Sequence, residues 1–121
     1  MLSLTNVGKK YSGERTVEAV KDVSFVLERG QFLSLMGRSG SGKSTLLASI
    51  GGISKPTSGK VIIDGVDQWS LSDDDHSDFR NRSIGYVFQF ASLLPTLRAI
   101  DNVALPALVA ATPSRGQAHA R

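Results

Sequence analysis

The segment Met36–Leu47, MGRSGSGKSTLL, constrains this chain more than any other. Within Gly37-Arg38-Ser39-Gly40-Ser41-Gly42-Lys43-Ser44 it gathers three glycines, three hydroxyls and one lysine. That run fits G-x-x-x-x-G-K-[ST], a loop whose glycines turn successive backbone N–H groups inward to cradle phosphate oxygens. A chain of this composition, shuffled, would hold such a pattern with a frequency of roughly 1%. A Gly/Ser linker has the same look but no use for the lysine. In the phosphate loop, Lys43 reaches the β- and γ-phosphates and the Ser44 hydroxyl ligates Mg²⁺.

The flanks agree with that reading. FLSLMG, before the loop, is the compact apolar run of a buried parallel strand. KSTLLASIGGI, after it, spaces Leu46, Leu47 and Ile50 as a helix does and closes on Gly51 and Gly52. A strand–loop–helix unit is therefore predicted, with the helix N-terminus adding its unpaired N–H groups and dipole to the anion site.

Around this unit the pattern is mostly β. Met1–Val7 alternates apolar and polar residues as a short strand, and AVKDVSFVLE places Val20, Val23, Phe25 and Leu27 mostly at period two. Lys60–Ile63 reads as a third strand, entered from a Pro-Thr-Ser-Gly turn and left through Asp64-Gly65. SIGYVFQ reads as a further short strand. SLSDDDHSDFRNR reads as a helix, with Ser72 as cap and Asp73 to Asp75 at the positive end of its dipole. Thr112 and Pro113 have the form of another helix start.

Bulk properties narrow the function classes. The 121 residues suffice for one domain at most, at the small end for an α/β protein. Fourteen basic and eleven acidic residues give a net charge of +3 with no basic cluster, so nucleic acid is not an expected partner. The chain has no cysteine, which excludes disulfides and thiolate metal sites. No apolar run approaches the ~20 residues of a bilayer span, and a membrane is expected to be met through a partner.

Beyond the loop, the order of motifs resembles the ATP-binding subunit of ABC transporters, and within that family the group that drives lipoprotein release and macrolide or peptide export. VGKKYSGERTVEAVKDVSFVLERGQFLSLMG is similar to the family's opening, PTSGKVIIDG and SIGYVFQ match in order and spacing, and LLPTLRAIDNVALP is similar to the start of its helical subdomain. The implied fold is an α/β P-loop NTPase of ABC ATPase type, incomplete, with an antiparallel β subdomain beside the P-loop strand and helix. The implied division is 1–90 for the N-terminal part of the core and 91–121 for the start of the helical subdomain.

The resemblance further implies that Tyr11 stacks on adenine. It makes Gln89 the glutamine that reaches Mg²⁺ or the attacking water, and extends the ATP-binding run from Gly37 through Thr45. Implied ligands are ATP and Mg²⁺. Implied partners are a membrane-spanning permease and, in the full-length form, a second nucleotide-binding subunit, which place the protein in the cytoplasm, peripheral on the inner face of the cell membrane.

The chain departs from the family at Arg38, where proline is usual, and at Arg98, where a small hydroxyl residue is more frequent. The L-S-G-G-Q signature, a Walker B strand ending in Asp-Glu and a switch histidine do not occur in these residues. Asp64 follows three apolar residues but precedes Gly65 rather than glutamate, and His76 and His119 read as solvated surface. The chain is thus expected to be an N-terminal part that holds nucleotide but lacks the groups for hydrolysis. Low solubility or a molten state is expected of it alone, because its P-loop strand would have an open edge. A non-hydrolytic nucleotide-binding piece, an inactive truncated product, or another P-loop enzyme such as a kinase or GTPase are the alternatives.

Overall fold

The structure, a computed structural model, describes residues 1–89 and 93–111. It divides into two units, Met1–Ser72 and one beginning at Asp73.

The first unit is built on three long antiparallel strands. β1 (Leu2–Tyr11) lies between β2 (Val17–Leu27) and β3 (Ser58–Ile63), and β4 (Val66–Asp67) adds a short edge beyond β3. Period two alone cannot bury both Leu4 and Val7 on β1. The register shift between them resolves this, with Asn6 at φ 50° inside it, and a second shift, between Val7 and Lys9, holds Asp22 of β2 at φ 48°. The two side chains are joined by an Asn6 Nδ2 to Asp22 Oδ1 bond of 2.7 Å. This irregularity turns Val7 back inward, as bulges do. The second shift accounts for the odd spacing of Val20 and Val23 on β2.

Leu4, Val7, Val20 and Val61 form the buried core of the sheet, and α1 (Lys43–Ile50) joins it through Leu46. The far end of α1 is braced from another element. A 3₁₀ turn, Gln68–Ser70, places the fully buried Gln68 so that Nε2 donates to the Ile50 carbonyl at 2.9 Å, while Trp69 Nε1 donates to Ser49 O at 3.1 Å. Helix ends leave carbonyls without intrahelical partners, and these two side chains supply them.

The second unit contains α2 (Asp73–Ser83) and α3 (Ala99–Ala111). α2 carries Asp73, Asp74 and Asp75 in its first turn and Arg80 and Arg82 in its last, matching the helix dipole at both ends. Asn102, in the first turn of α3, ties the preceding turn to the helix. Its Oδ1 accepts from Leu94 N at 2.8 Å and its Nδ2 donates to Leu94 O at 3.1 Å.

Two predicted strands are not strands. FLSLMG, residues 32–37, and SIGYVFQ, residues 83–89, run without ladder pairing to any described strand: Ser83 ends α2, and Phe32, Met36 and Val87 are 91%, 88% and 95% exposed. An apolar run marks a segment suited to burial in a sheet, but a strand exists only where neighbours take up its N–H and C=O groups. No described strand does so here. His76 also differs from expectation: it is half-buried on α2 rather than solvated. The helix start expected at Thr112–Pro113, and His119, lie outside the described residues.

Candidate functional site: a glycine-rich loop against the sheet

The loop between Met36 and α1 is shaped by its own backbone. Gly40 and Gly42 take φ 78° and 88°, and Ser41 N donates to Arg38 O at 3.2 Å, closing a turn. Gly42 is the N-cap of α1, and Leu46 N donates to its carbonyl at 2.8 Å to start the helix. No side chain caps this end. The first-turn N–H groups are thus left to face an anion, which the dipole also favours.

Gly42 must be glycine for a second reason. A Cβ there would lie 2.0 Å from the Ala19 carbonyl oxygen of β2. The loop is therefore seated directly on the sheet backbone, closer than any side chain permits.

Lys43 is folded over the loop. Its ammonium donates to the carbonyls of Gly37 and Arg38, each at 2.8 Å, and to Ser41 Oγ at 3.3 Å. Three donors meet three acceptors, so the cation is held at the loop without an acidic partner. A fixed cation beside open amide groups is the electrostatic arrangement that receives phosphate. Arg38 takes part through its carbonyl, which does not require a particular side chain. Ser39, Ser41 and Ser44 are exposed and Thr45 is half-buried. The exposed Ser44 hydroxyl, at the head of α1, is a hard oxygen of the kind Mg²⁺ takes alongside phosphate. Among the described residues no three of His, Cys, Asp or Glu gather as a metal cluster.

Beside the loop opens a cleft of ≈ 470 Å³, walled by Glu18 to Lys21 and Val23 on β2 and by Leu35–Gly37, Ser41–Lys43 and Leu46 on the loop side. Tyr11 stands near this wall. It ends β1 opposite Val17, the residue before Glu18, and is 46% exposed. Lys9 Nζ lies 5.2 Å from the centre of its ring, and Lys10 pairs with Glu18 at 3.3 Å. Sequence reading passed over Lys9, although two residues apart on a strand is the spacing of a shared face.

Gln89 is exposed and belongs to the second unit. Asp64 is committed elsewhere: its Oδ1 accepts from the Met1 ammonium at 2.6 Å and its Oδ2 faces Arg29 at 3.2 Å. The hydrogen bond from the terminal ammonium, then Arg29, hold its carboxyl below the usual aspartate range. Arg98 makes two bonds to Asp101, at 2.8 and 3.2 Å, which raise its already high pKa. Among the described residues no helix is long and apolar enough to cross a membrane.

Comparison with known proteins gives this site a context. The lipoprotein-releasing system ATP-binding protein LolD of Syntrophotalea carbinolica is 43% identical over 111 residues, covering 91% of this chain and 49% of that one. The protein named as uncharacterized ABC transporter ATP-binding protein MJ0796, of Methanocaldococcus jannaschii, is 47% identical over 107 residues, 88% of this chain and 46% of that one. A solved dimeric structure of a post-hydrolysis state of MJ0796, bound to ADP and Pi, superimposes with a TM-score of 0.85 at 42% identity, covering 97% of this chain and 52% of that one. The chain spans about half the length of the curated relatives it matches. The family model described as ABC transporter matches residues 20–121, and the chain belongs to that family.

Proposed function

We infer that this chain is the nucleotide-holding N-terminal part of an ABC transporter ATP-binding subunit, with ATP as its ligand. The observation that carries the reading is the loop itself: Lys43 held on the Gly37 and Arg38 carbonyls, beside the uncapped head of α1 and an open cleft. The relative bound to ADP and Pi supports it.

Residues 1–90 are read as the N-terminal part of the ATPase core and 91–121 as the start of its helical subdomain. Gly37 to Thr45 bind the phosphates, Lys43 supplies charge to them, and Tyr11 receives the base. Ser44, with Gln89, would hold Mg²⁺, which when bound neutralises phosphate charge. Phosphoryl transfer to water is mostly positioning and charge stabilisation. The loop provides the first part of that, and the signature and Walker B groups come from the rest of the protein and a second subunit. In that full form the subunit couples ATP binding and hydrolysis to a membrane permease from the cytoplasmic face.

Titration calorimetry with ATP and Mg²⁺ tests this. Wild type is expected to bind, Lys43→Ala to lose tenfold or more in affinity, about 1.4 kcal/mol, and Ser44→Ala to lose the dependence on Mg²⁺. Equal affinity for ATP in wild type and Lys43→Ala would overturn the reading. A preference for GTP would favour another P-loop class.

A further inference from the structure

Lys9 and Tyr11 alternate along β1, and the lysine ammonium sits over the phenol ring at 5.2 Å, within the range of a cation–π contact. The ammonium is not a loose surface charge. It donates to the Lys55 carbonyl at 2.6 Å. That carbonyl is itself fixed, because Thr57 two residues on is bound to β1: Thr57 N donates to Gly8 O at 2.8 Å and Lys10 N donates to Thr57 Oγ1 at 2.9 Å. The cation over Tyr11 is therefore anchored to a turn that is locked onto the same strand.

A phenol ring has two faces. With one covered by Lys9, Tyr11 still keeps 46% of its surface open. We propose that Lys9 is a positioning residue, which backs the Tyr11 ring with an ammonium anchored on the Lys55 carbonyl, so that the ring's free face is presented to the flat base of the bound nucleotide. This rests on the nucleotide reading of the Gly37–Ser44 loop and adds a residue to it. Two physical effects follow. The ring is held in place before ligand arrives, so less ordering remains to be done on binding. The ammonium also draws electron density from the ring, which favours stacking with an electron-rich purine on the opposite face.

Calorimetric titration of the 121-residue chain separates base from phosphate by using two probes, ATP and inorganic tripolyphosphate, each with Mg²⁺. Lys9→Met, which keeps the apolar stem, is expected to weaken ATP about two- to fivefold while leaving tripolyphosphate unchanged. Lys9→Arg restores most of the loss, and in a Tyr11→Leu background Lys9→Met has no further effect. In ligand-free protein, the Lys9 ε-protons resonate upfield in wild type and return in Tyr11→Leu.

Equal weakening of both probes would mean general charge attraction and overturn the proposal, as would additive losses in the double variant. Tighter ATP binding by Lys9→Met would make the lysine a guard of the base's seat and overturn it in the opposite sense. A missing upfield shift in wild type would remove the brace itself. Wild type binding neither probe would instead bring down the nucleotide reading, and this proposal with it.

Discussion

Residues 2–27 and residues 31–36 carry similar apolar runs, yet the first make a two-stranded ladder and the second stays unpaired. The difference lies in what is available to pair with. β1 finds β2 on one edge and β3 on the other, and its inward side chains meet Leu46 and Val61. Residues 31–36 find no described strand, and their side chains Phe32 and Met36 face solvent. The phosphate loop is nevertheless formed, because it is seated on β2 through Gly42 and on the core through Leu46. In this chain the loop is held mainly by the sheet in front of it, and the unpaired segment that leads into it adds one half-buried side chain, Leu35, packed against the core.

The largest expected effect breaks that seat. Gly42→Ala would push a Cβ into a backbone oxygen at 2.0 Å, an overlap no rotamer relieves. A loss of about 3 kcal/mol or more in urea unfolding is expected, with ATP binding abolished. Gly40→Ala meets no atom and carries only the strain of its φ of 78°, for about 1 kcal/mol. Equal costs at the two glycines would refute the seating.

A second pair sharpens the contrast between ladder and unpaired segment. Leu4→Ala, at a side chain only 2% exposed, should cost about 2–4 kcal/mol in the same unfolding assay. Phe32→Ser, in the exposed run, should stay within about 0.5 kcal/mol of wild type and improve solubility. A large cost at Phe32 would mean that the run packs in solution.

A smaller effect comes from Trp69→Phe, which removes the Nε1 bond to Ser49 O at the far end of α1. About 1 kcal/mol is expected, with loop affinity for ATP little changed. The smallest is the pH dependence at Asp64. Its pKa is lowered in the folded protein, so the ion pair's contribution is complete above the ordinary aspartate range and fades as pH falls through the lowered value. Wild type should lose a little more stability than Asp64→Asn in that acid window, and the two should run parallel from pH 5 to 7.

Much of the sheet was legible because its signals are local. Alternation marked β1 and β2, Asp64-Gly65 marked the turn after β3, and the closing glycines marked the end of α1. The glycine loop was legible for the same reason. The segments 31–36 and 84–89 were misread because an apolar run records the burial a segment is suited to, and burial depends on partners elsewhere. β4 was too short for periodicity to show. The seat of Gly42 on Ala19, the Gln68 and Trp69 brace and the backing of Tyr11 by Lys9 are contacts across sequence distance, which no window of neighbours reveals.

Amide hydrogen exchange of the 121-residue chain, with and without ATP and Mg²⁺, tests most directly whether the sheet holds the loop. In place of the molten state expected from an open P-loop edge, the paired strands predict slow exchange along β1, β2 and β3 and at the Leu46 amide that bonds Gly42, fast exchange at 32–36, and ATP-dependent slowing confined to the loop amides from Gly40 to Ser44. Protection of 32–36 equal to that of β1 in the free chain, or a Leu46 amide as fast as 32–36, would contradict the account.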